Sequence, residues 1–232
     1  PRCFVKLLDL TLPTPAENLA CDEALLELAE ATDGDEVLRF WESPVYFVVV
    51  GYANRVATEV NVDACRAAGI PILRRCTGGG TVVQGPGCLN YALVIKSPSA
   101  SVTETNRYIM ERHRDAFGKD VQFDGHTDLA IGGRKFSGNA QRRKRRYVLF
   151  HGSFLYNFDL DLITKLLPMP SQQPAYRQNR SHRDFLMNLP LSPAAIKKTL
   201  TGLWNATGHA VCPETTALVR EKYASAAWTF KF

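Results

Sequence analysis

Arg74-Arg75-Cys76-Thr77-Gly78-Gly79-Gly80 sets two guanidinium groups beside three consecutive glycines. Bare of Cβ atoms, such backbone can lie directly against a ligand and take positive φ without steric cost. Peptide N–H groups together with arginine form a receptor for phosphate or carboxylate. A tight bend or bulge between strands is the competing reading of the triplet, because Pro71 to Arg74 and Leu89 to Ile95 both read as apolar strand. Three further side chains have the chemistry of a site. Lys135 follows the Gly132-Gly133 step in a strand that continues to Ser137-Gly138, Asp128 precedes that step, and His151 is followed by Gly152. By position alone the lysine and the aspartate suit a solvated strand and turn, and a single strand histidine suits a structural role. The six cysteines, at 3, 21, 65, 76, 88 and 212, show neither a Cys-x-x-Cys pair nor a histidine spacing that would bind zinc.

The elements that would carry these residues are marked by their ends. Thr14-Pro15-Ala16-Glu17 is a capping box with proline at the first helical position. Leu19, Ala20, Ala24, Leu25 and Leu28 follow at helical spacing until Asp33-Gly34. Val37 to Phe40 and Val45 to Val50 read as short strands separated by Ser43-Pro44, and Asn61 to Ala68 as a short helix ended by Gly69. Ser101-Val102-Thr103-Glu104 is a second capping box, opening a helix to about Phe117, and Gly132-Gly133 reads as a two-residue hairpin turn. From Tyr147 to Phe158 the chain alternates: Val148, Phe150, Phe154, Tyr156 and Phe158 share one face, His151 and Ser153 the other. Asp159 caps a short helix, and Pro168 to Asn188 reads as loop. Ser192-Pro193 opens a helix bearing Ile196, Leu200, Leu203 and Trp204, and a last helix covers about Glu214 to Ala224. Strands and helices mix without regular βαβ alternation. The pattern predicts an α+β fold with a central, mostly antiparallel or mixed sheet flanked by helices, in a single domain over residues 1–232.

Composition narrows the function classes. Hydrophobic residues make up 45% and charged residues 22%, as in an ordinary soluble globular protein. The longest apolar run, Val45 to Val50, is far short of a membrane span. No secretory signal is recognisable after Pro1, and the scattered cysteines suit a reduced, cytoplasmic setting. The net charge of +5 is modest, but Arg142-Arg143-Lys144-Arg145-Arg146 is a run of cations. Without interleaved aromatic residues it does not read as a nucleic-acid patch. It suits either a solvated hairpin tip or a docking point for an acidic protein partner.

The glycine run resembles the signature of the lipoate/octanoate protein ligase and acyltransferase family, which shares its fold with biotin protein ligases. Members carry Arg-Arg-x-Ser/Thr-Gly-Gly-Gly, then a valine two residues on (Val82) and an asparagine-containing strand (Asn90). His126 to Gln141 resembles the family's Asn-Asp-Leu … Lys-x-Ser-Gly-x-Ala element through Asp128, Leu129, Lys135, Ser137, Gly138 and Ala140. His151-Gly152-Ser153-Phe154-Leu155 is similar to its His-Gly-Thr/Ser-Leu-Leu strand, and Glu17 to Leu26 to its first helix. The resemblance implies a biotin/lipoate protein ligase-like catalytic domain in which Lys135 is the catalytic residue. There it contacts both an acyl carboxylate and the α-phosphate, whose mutual repulsion a compact ammonium offsets. The resemblance further implies that Arg75, Gly78, Gly79, Gly80, Val82, Asn90, Asp128, Ser137, Gly138, Ala140, His151 and Gly152 bind the acyl-adenylate. Arg75 would face its carboxylate or phosphate, and Asp128 would hold Mg2+ against the nucleotide.

Two chemistries occur in this family. Ligases join the fatty acid to AMP from ATP and pass it to a lysine of a lipoyl-type carrier domain. Transferases take octanoyl from acyl carrier protein through a cysteine thioester. The positions that carry this cysteine in the two transferase subgroups correspond to Gln122 and to Val148 or Leu149. Neither holds a thiol, so an ATP-dependent lipoate-protein ligase is expected, with ATP and Mg2+ as cofactors and lipoate or octanoate as substrate. The alternatives are an octanoyl or lipoyl transferase that uses Cys76 or no cysteine, and a non-catalytic module that holds lipoyl or biotinyl groups. Gln84 stands where family ligases commonly place a histidine, and no large C-terminal accessory domain is evident. A separate accessory subunit is therefore an expected partner beside the carrier domain; nucleic acid and membrane are not.

Overall fold

The computed structural model describes residues 4–232. Its strands are β1 (Val5–Asp9), β2 (Glu36–Trp41), β3 (Phe47–Val50), β4 (Ile72–Arg74), β5 (Val82–Gln84), β6 (Cys88–Lys96), β7 (Val121–Asp124), β8 (Asp128–Ile131), β9 (Arg134–Arg143) and β10 (Tyr147–Leu155). One sheet has the order β1-β2-β6-β10-β9-β8-β7 and is parallel only between β1 and β2; a smaller sheet has the order β4-β3-β5. The first helices are α1 (Pro15–Thr32), α2 (Val56–Glu59), α3 (Val62–Ala67), α4 (Val102–Phe117) and α5 (Leu160–Leu166). They are followed by α6 (His182–Phe185), α7 (Pro193–Leu203), α8 (Thr216–Leu218), which runs into a π-helical turn over Val219–Tyr223, and α9 (Ala226–Thr229). This is the expected mixed sheet flanked by helices, with a second small sheet added. No helix of the described residues is long and apolar enough to cross a membrane.

Local chemistry starts and stops the long helices. Thr14 Oγ1 accepts from Glu17 N at 3.2 Å and Glu17 Oε2 accepts from Thr14 N at 2.8 Å, so the first capping box is closed at both ends. Ser101 likewise accepts from Glu104 N at 3.3 Å, but the Glu104 carboxylate turns to Ser99, leaving the second box half made. In β10, Val148, Phe150 and Phe154 enter the main core with Leu38, Phe40 and Leu93 of the sheet and Ile109 and Leu200 of α4 and α7. On the opposite face Tyr147 and Leu149 pack with Leu25, Leu26 and Ala29 of α1. Burying such a side chain is worth about 1.5–3 kcal/mol, and a slip of one residue would exchange Phe150 with His151. The register that presents His151 is thus fixed by its apolar neighbours.

Three expectations change. Pro168 to Asn188 is not all loop: it holds a 3-10 turn at Ala175–Arg177 and the short α6, elements too brief to leave a periodic pattern. The last expected helix is present over Thr216–Tyr223 but turns from α to π after Leu218, and beyond it a separate α9 is held onto β4, where Arg74 donates to the carbonyls of Trp228 at 3.1 Å and Thr229 at 2.7 Å. Four of the five cations at 142–146 are engaged by the chain itself. Arg142 donates to Cys76 O at 3.0 Å, Arg143 to Ser97 Oγ at 2.6 Å, Lys144 pairs with Glu27 at 2.6 Å, and Arg146 lies 3.5 Å from Asp33. The acidic side of α1 neutralises much of this hairpin tip. Cys3 lies outside the described residues.

Candidate active site

Cross-strand register lays out one face of the large sheet. Trp41, Asn90, Ser153, Gly138 and Asp128 are paired in a row from β2 to β8, and Arg39, Ala92, His151 and Ala140 form the next row. Directly paired residues point to the same side. Ser153, Gly138, Ala92 and Ala140 therefore make a floor of small residues, bounded by Trp41 and Asn90 at one end and Asp128 at the other. Asn90 Oδ1 and Trp41 Nε1 are buried without a hydrogen-bond partner in the protein.

The glycine loop crosses this floor as it joins β4 to β5. Arg75 Nη2 donates to the carbonyls of Gly78 and Gly80 at 2.5 and 2.7 Å, and Nε donates to Thr77 Oγ1 at 3.0 Å. Burial pushes the Arg75 guanidinium down to about 10, which leaves it cationic at neutral pH. It faces the loop's own carbonyls, where the sequence led us to expect a ligand's carboxylate or phosphate. Gly79 has φ +85°, and a Cβ there would lie 2.9 Å from Arg75 Nη2 and 3.6 Å from Ala140 Cβ, so the loop touches the floor at Ala140. Gly51, which the sequence did not single out, allows this: its Cβ would meet Gly79 O at 2.0 Å. Around the Cβ positions of Gly78 and Gly80 there is no heavy atom within 4 Å. These two residues present open backbone. Val82 packs with the Trp41 and Phe47 cluster behind the loop.

Lys135 reaches this face through a β-bulge. Leu129 pairs with Ser137 and Ala130 with Lys135, leaving Phe136 as the extra residue. The Lys135 side chain lies over Gly138, where a Cβ would come within 2.6 Å of Nζ, and its ammonium pairs with Asp128 Oδ1 at 2.8 Å. With 24% of its side chain exposed, Lys135 is neither sealed nor free in solvent. Asp128 Oδ2 accepts from Tyr176 Oη at 2.8 Å.

His151 ties the two sheets together. Its Nδ1 lies 3.2 Å from Asp22 Oδ2 and its Nε2 2.7 Å from Thr77 Oγ1. A carboxylate can only accept, so Nδ1 carries a hydrogen, and in the neutral ring Nε2 then accepts from the Thr77 hydroxyl. Asp22 in turn accepts from Arg39 Nη1 at 2.5 Å, and Arg39 also donates to Asn18 O and Asn18 Oδ1 at 2.8 and 2.6 Å. Arg39 and Asp22 were not singled out in the sequence, since their meeting with His151 depends on α1 docking across the sheet.

The sheet thus assembles Asn90, Asp128, Gly138, Ala140 and His151 on one face, under Gly78–Gly80 and beside Lys135. Ser137 and Gly152 fall on the other face. The space a Cβ would take at Gly152 is filled by Asn139, whose Oδ1 lies 1.8 Å from that position and accepts from Tyr91 Oη at 2.7 Å. Nearby, Trp204 Nε1 donates to His113 Nε2 at 3.0 Å, and burial pushes His113 down to about 3. Cys76 and Cys88 flank the loop in sequence, but both are buried, and burial pushes each thiol up to about 12.

Comparison with known proteins places this arrangement. The lipoyl protein ligase A/B catalytic domain matches residues 14–193, and the chain belongs to that family of lipoate ligases and octanoyltransferases. A protein of Aeropyrum pernix assigned as lipoate-protein ligase A is 33% identical over 69% of this chain; the chain spans 61% of that relative's length. The octanoyltransferase LipM of Carboxydothermus hydrogenoformans is 30% identical, with 94% of this chain and 95% of the relative covered. Among solved structures, a lipoate-protein ligase A bound with ATP superposes with a TM-score of 0.81 at 25% identity, covering 98% of each chain. The bi-partite lipoate protein ligase of Thermoplasma acidophilum, described with its E2 lipoyl domain, has the same fold, with a TM-score of 0.83 at 24% identity over 99% of this chain and 97% of that one. A further structure from T. acidophilum, with bound lipoic acid, shares the fold at a TM-score of 0.82 and 23% identity, covering 99% of each chain.

Proposed function

We propose that the protein is an ATP-dependent lipoate or octanoate ligase, which forms an acyl-adenylate and transfers the acyl group to a lysine of a lipoyl-type carrier domain. The observation that carries this reading over the transferase one is the chemistry of the floor. Its two rows and the adjoining Lys135 supply an ammonium, one carboxylate and an imidazole, and none of these residues is a cysteine. Cys76 is a poor substitute, since a thiol held near 12 is protonated at neutral pH and is a weak nucleophile.

In this reading the acyl carboxylate and the α-phosphate meet at Lys135. Asp128 takes one of the three N–H donors of the ammonium, which leaves two for the two anions. The carboxylate oxygen attacks the α-phosphorus, pyrophosphate leaves, and the fixed ammonium offsets the charge that gathers between them. The open backbone of Gly78 and Gly80 lies along the adenylate, and the Thr77–His151 tie keeps that loop on the sheet. An amine of the carrier then attacks the acyl carbonyl and AMP departs. Asp128 fits a divalent ion that arrives with the triphosphate, because Mg2+ takes one or two protein carboxylates and fills its other positions with phosphate and water. Consistent with that, no cluster of three His, Cys, Asp or Glu residues among those described would hold an ion by itself. Mg2+ bound there would neutralise phosphate charge. The described cysteines are free thiols, which suits the cytoplasm, and an accessory subunit is a second partner, as the bi-partite make-up of the Thermoplasma ligase suggests.

The test is to incubate the protein with a lipoyl carrier domain and follow the carrier's mass. Acylation that needs ATP, Mg2+ and free lipoate or octanoate supports the ligase. Acylation from octanoyl-acyl carrier protein without ATP would replace it with the transferase.

A further inference from the structure

The stretch between α5 and α6 carries no recognisable motif, yet it delivers one side chain to the Lys135–Asp128 pair. Tyr176 Oη donates to Asp128 Oδ2 at 2.8 Å while Lys135 Nζ lies 2.8 Å from Oδ1. The carboxylate is therefore gripped at both oxygens by donors from separate parts of the chain. Several contacts hold the tyrosine in place. Its ring packs on Phe185 with centroids 5.1 Å apart, and its carbonyl accepts from Arg180 Nη2 at 2.8 Å. Gly125, at φ +58°, lets the segment close: a Cβ there would stand 3.2 Å from Pro174 Cβ and 3.4 Å from the Tyr176 ring. Beyond α6 the chain pairs with β9 beside the lysine itself, Met187 N donating to Lys135 O at 2.9 Å.

We propose that Tyr176 is a positioning residue of this site: by holding Asp128 Oδ2 it fixes the carboxylate that anchors Lys135 over Gly138. The proposal rests on the reading of Lys135 as the group that gathers the carboxylate and the phosphate. An ammonium on a four-carbon stem has many rotamers, and an in-line reaction between two anions tolerates little misplacement. Asp128 removes that freedom from Lys135, and Tyr176 removes it from Asp128. Without the hydroxyl the carboxylate turns about its Cβ–Cγ bond and the lysine follows.

Tyr176→Phe keeps the ring contacts and deletes only the hydroxyl. It should lower kcat for adenylate formation about tenfold, the kinetic equivalent of one hydrogen bond to a charged group. KM for the acyl acid should stay within about twofold, since its binding surface is untouched, and the melting temperature within about 2 °C. In combination with Asp128→Asn the loss should not add, because both changes act on one unit; additive losses would overturn the proposal. A second measurement does not depend on turnover. Reductive methylation with formaldehyde and cyanoborohydride, read by peptide mass spectrometry, compares Lys135 with the exposed Lys198. The Tyr176→Phe protein should label Lys135 several-fold faster relative to Lys198, and an unchanged ratio would overturn the proposal. If the wild-type protein released no pyrophosphate, the ligase reading would fall, and the labelling ratio would still decide whether Tyr176 governs Lys135.

Discussion

Replacing Asp22 by asparagine removes one charge from a pair that has no access to water. The Arg39 and Asp22 side chains are 0% and 2% exposed and lie 2.5 Å apart. Deleting one partner of a buried ion pair costs about 3–5 kcal/mol, because the remaining charge is left uncompensated. In a chain of this length each kcal/mol shifts the melting temperature by about 2–4 °C, so Asp22→Asn should lower it by roughly 6–20 °C. A second effect reaches the site. Asp22 accepts from Arg39 through Oδ1 and from His151 through Oδ2. An asparagine has one acceptor oxygen, and its NH2 group must then face either Arg39 or the His151 Nδ1 hydrogen. In the second case the tautomer of His151 is no longer fixed and Thr77 loses its acceptor. The assay pairs thermal melts with adenylate formation measured well below the midpoint. A fall of less than about 3 °C with unaltered activity would refute both the energetic argument and the linkage from Asp22 to the loop.

The glycine loop separates fold from ligand binding. Gly78→Ala should leave the melting temperature within about 1 °C, since its Cβ meets no protein atom, but should weaken nucleotide binding measured by calorimetry. Gly51→Ala drives a Cβ into Gly79 O and should weaken binding at least about tenfold by displacing the loop. His113 gives a pH signature. Held at about 3 in the fold against an ordinary 6.5, it binds a proton more readily in the unfolded chain. Its contribution is therefore complete above pH 6.5 and is lost as pH falls toward 3, by about 1.4 kcal/mol per pH unit. Urea melts of wild type and His113→Gln at pH 7, 6, 5 and 4 should converge as pH falls; parallel curves would contradict this. Cys76→Ser should keep carrier acylation within about twofold, because the buried thiol is not ionised, and abolished acylation would restore the transferase alternative.

What the sequence made legible was local or carried by the family resemblance. The Thr14 capping box, the alternation in β10 and the Gly132-Gly133 turn, whose glycines both have positive φ, signal their structures within a few residues. Asp22 and Tyr176 could not be read in the same way. Their partners lie 129 and 48 residues away, and no spacing rule joins a helix or a loop to a distant strand. The small sheet was equally hidden, because β4 and β5 are three-residue strands that pair through β3. Two site expectations could have been tested by alternation alone. Ser137 adjoins Gly138 and Gly152 adjoins His151, and neighbours in a strand face opposite sides. The basic run was also partly readable. Glu23, Glu27 and Glu30 recur at helical spacing on α1 and meet Arg142, Lys144 and Arg146.

The proposed adenylation depends on the ammonium of Lys135 joining an acyl carboxylate to the α-phosphate. A single-turnover experiment addresses it directly: protein in excess over radiolabelled ATP, with Mg2+ and lipoate or octanoate and no carrier, quenched and analysed for pyrophosphate and acyl-adenylate. The two products should form in equal amounts, and Lys135→Ala, melting like the wild type, should lose at least about 100-fold of the rate, as for removal of a charge-stabilising group. Wild-type protein that forms neither product, or a Lys135→Ala variant that forms both at the wild-type rate, would contradict it.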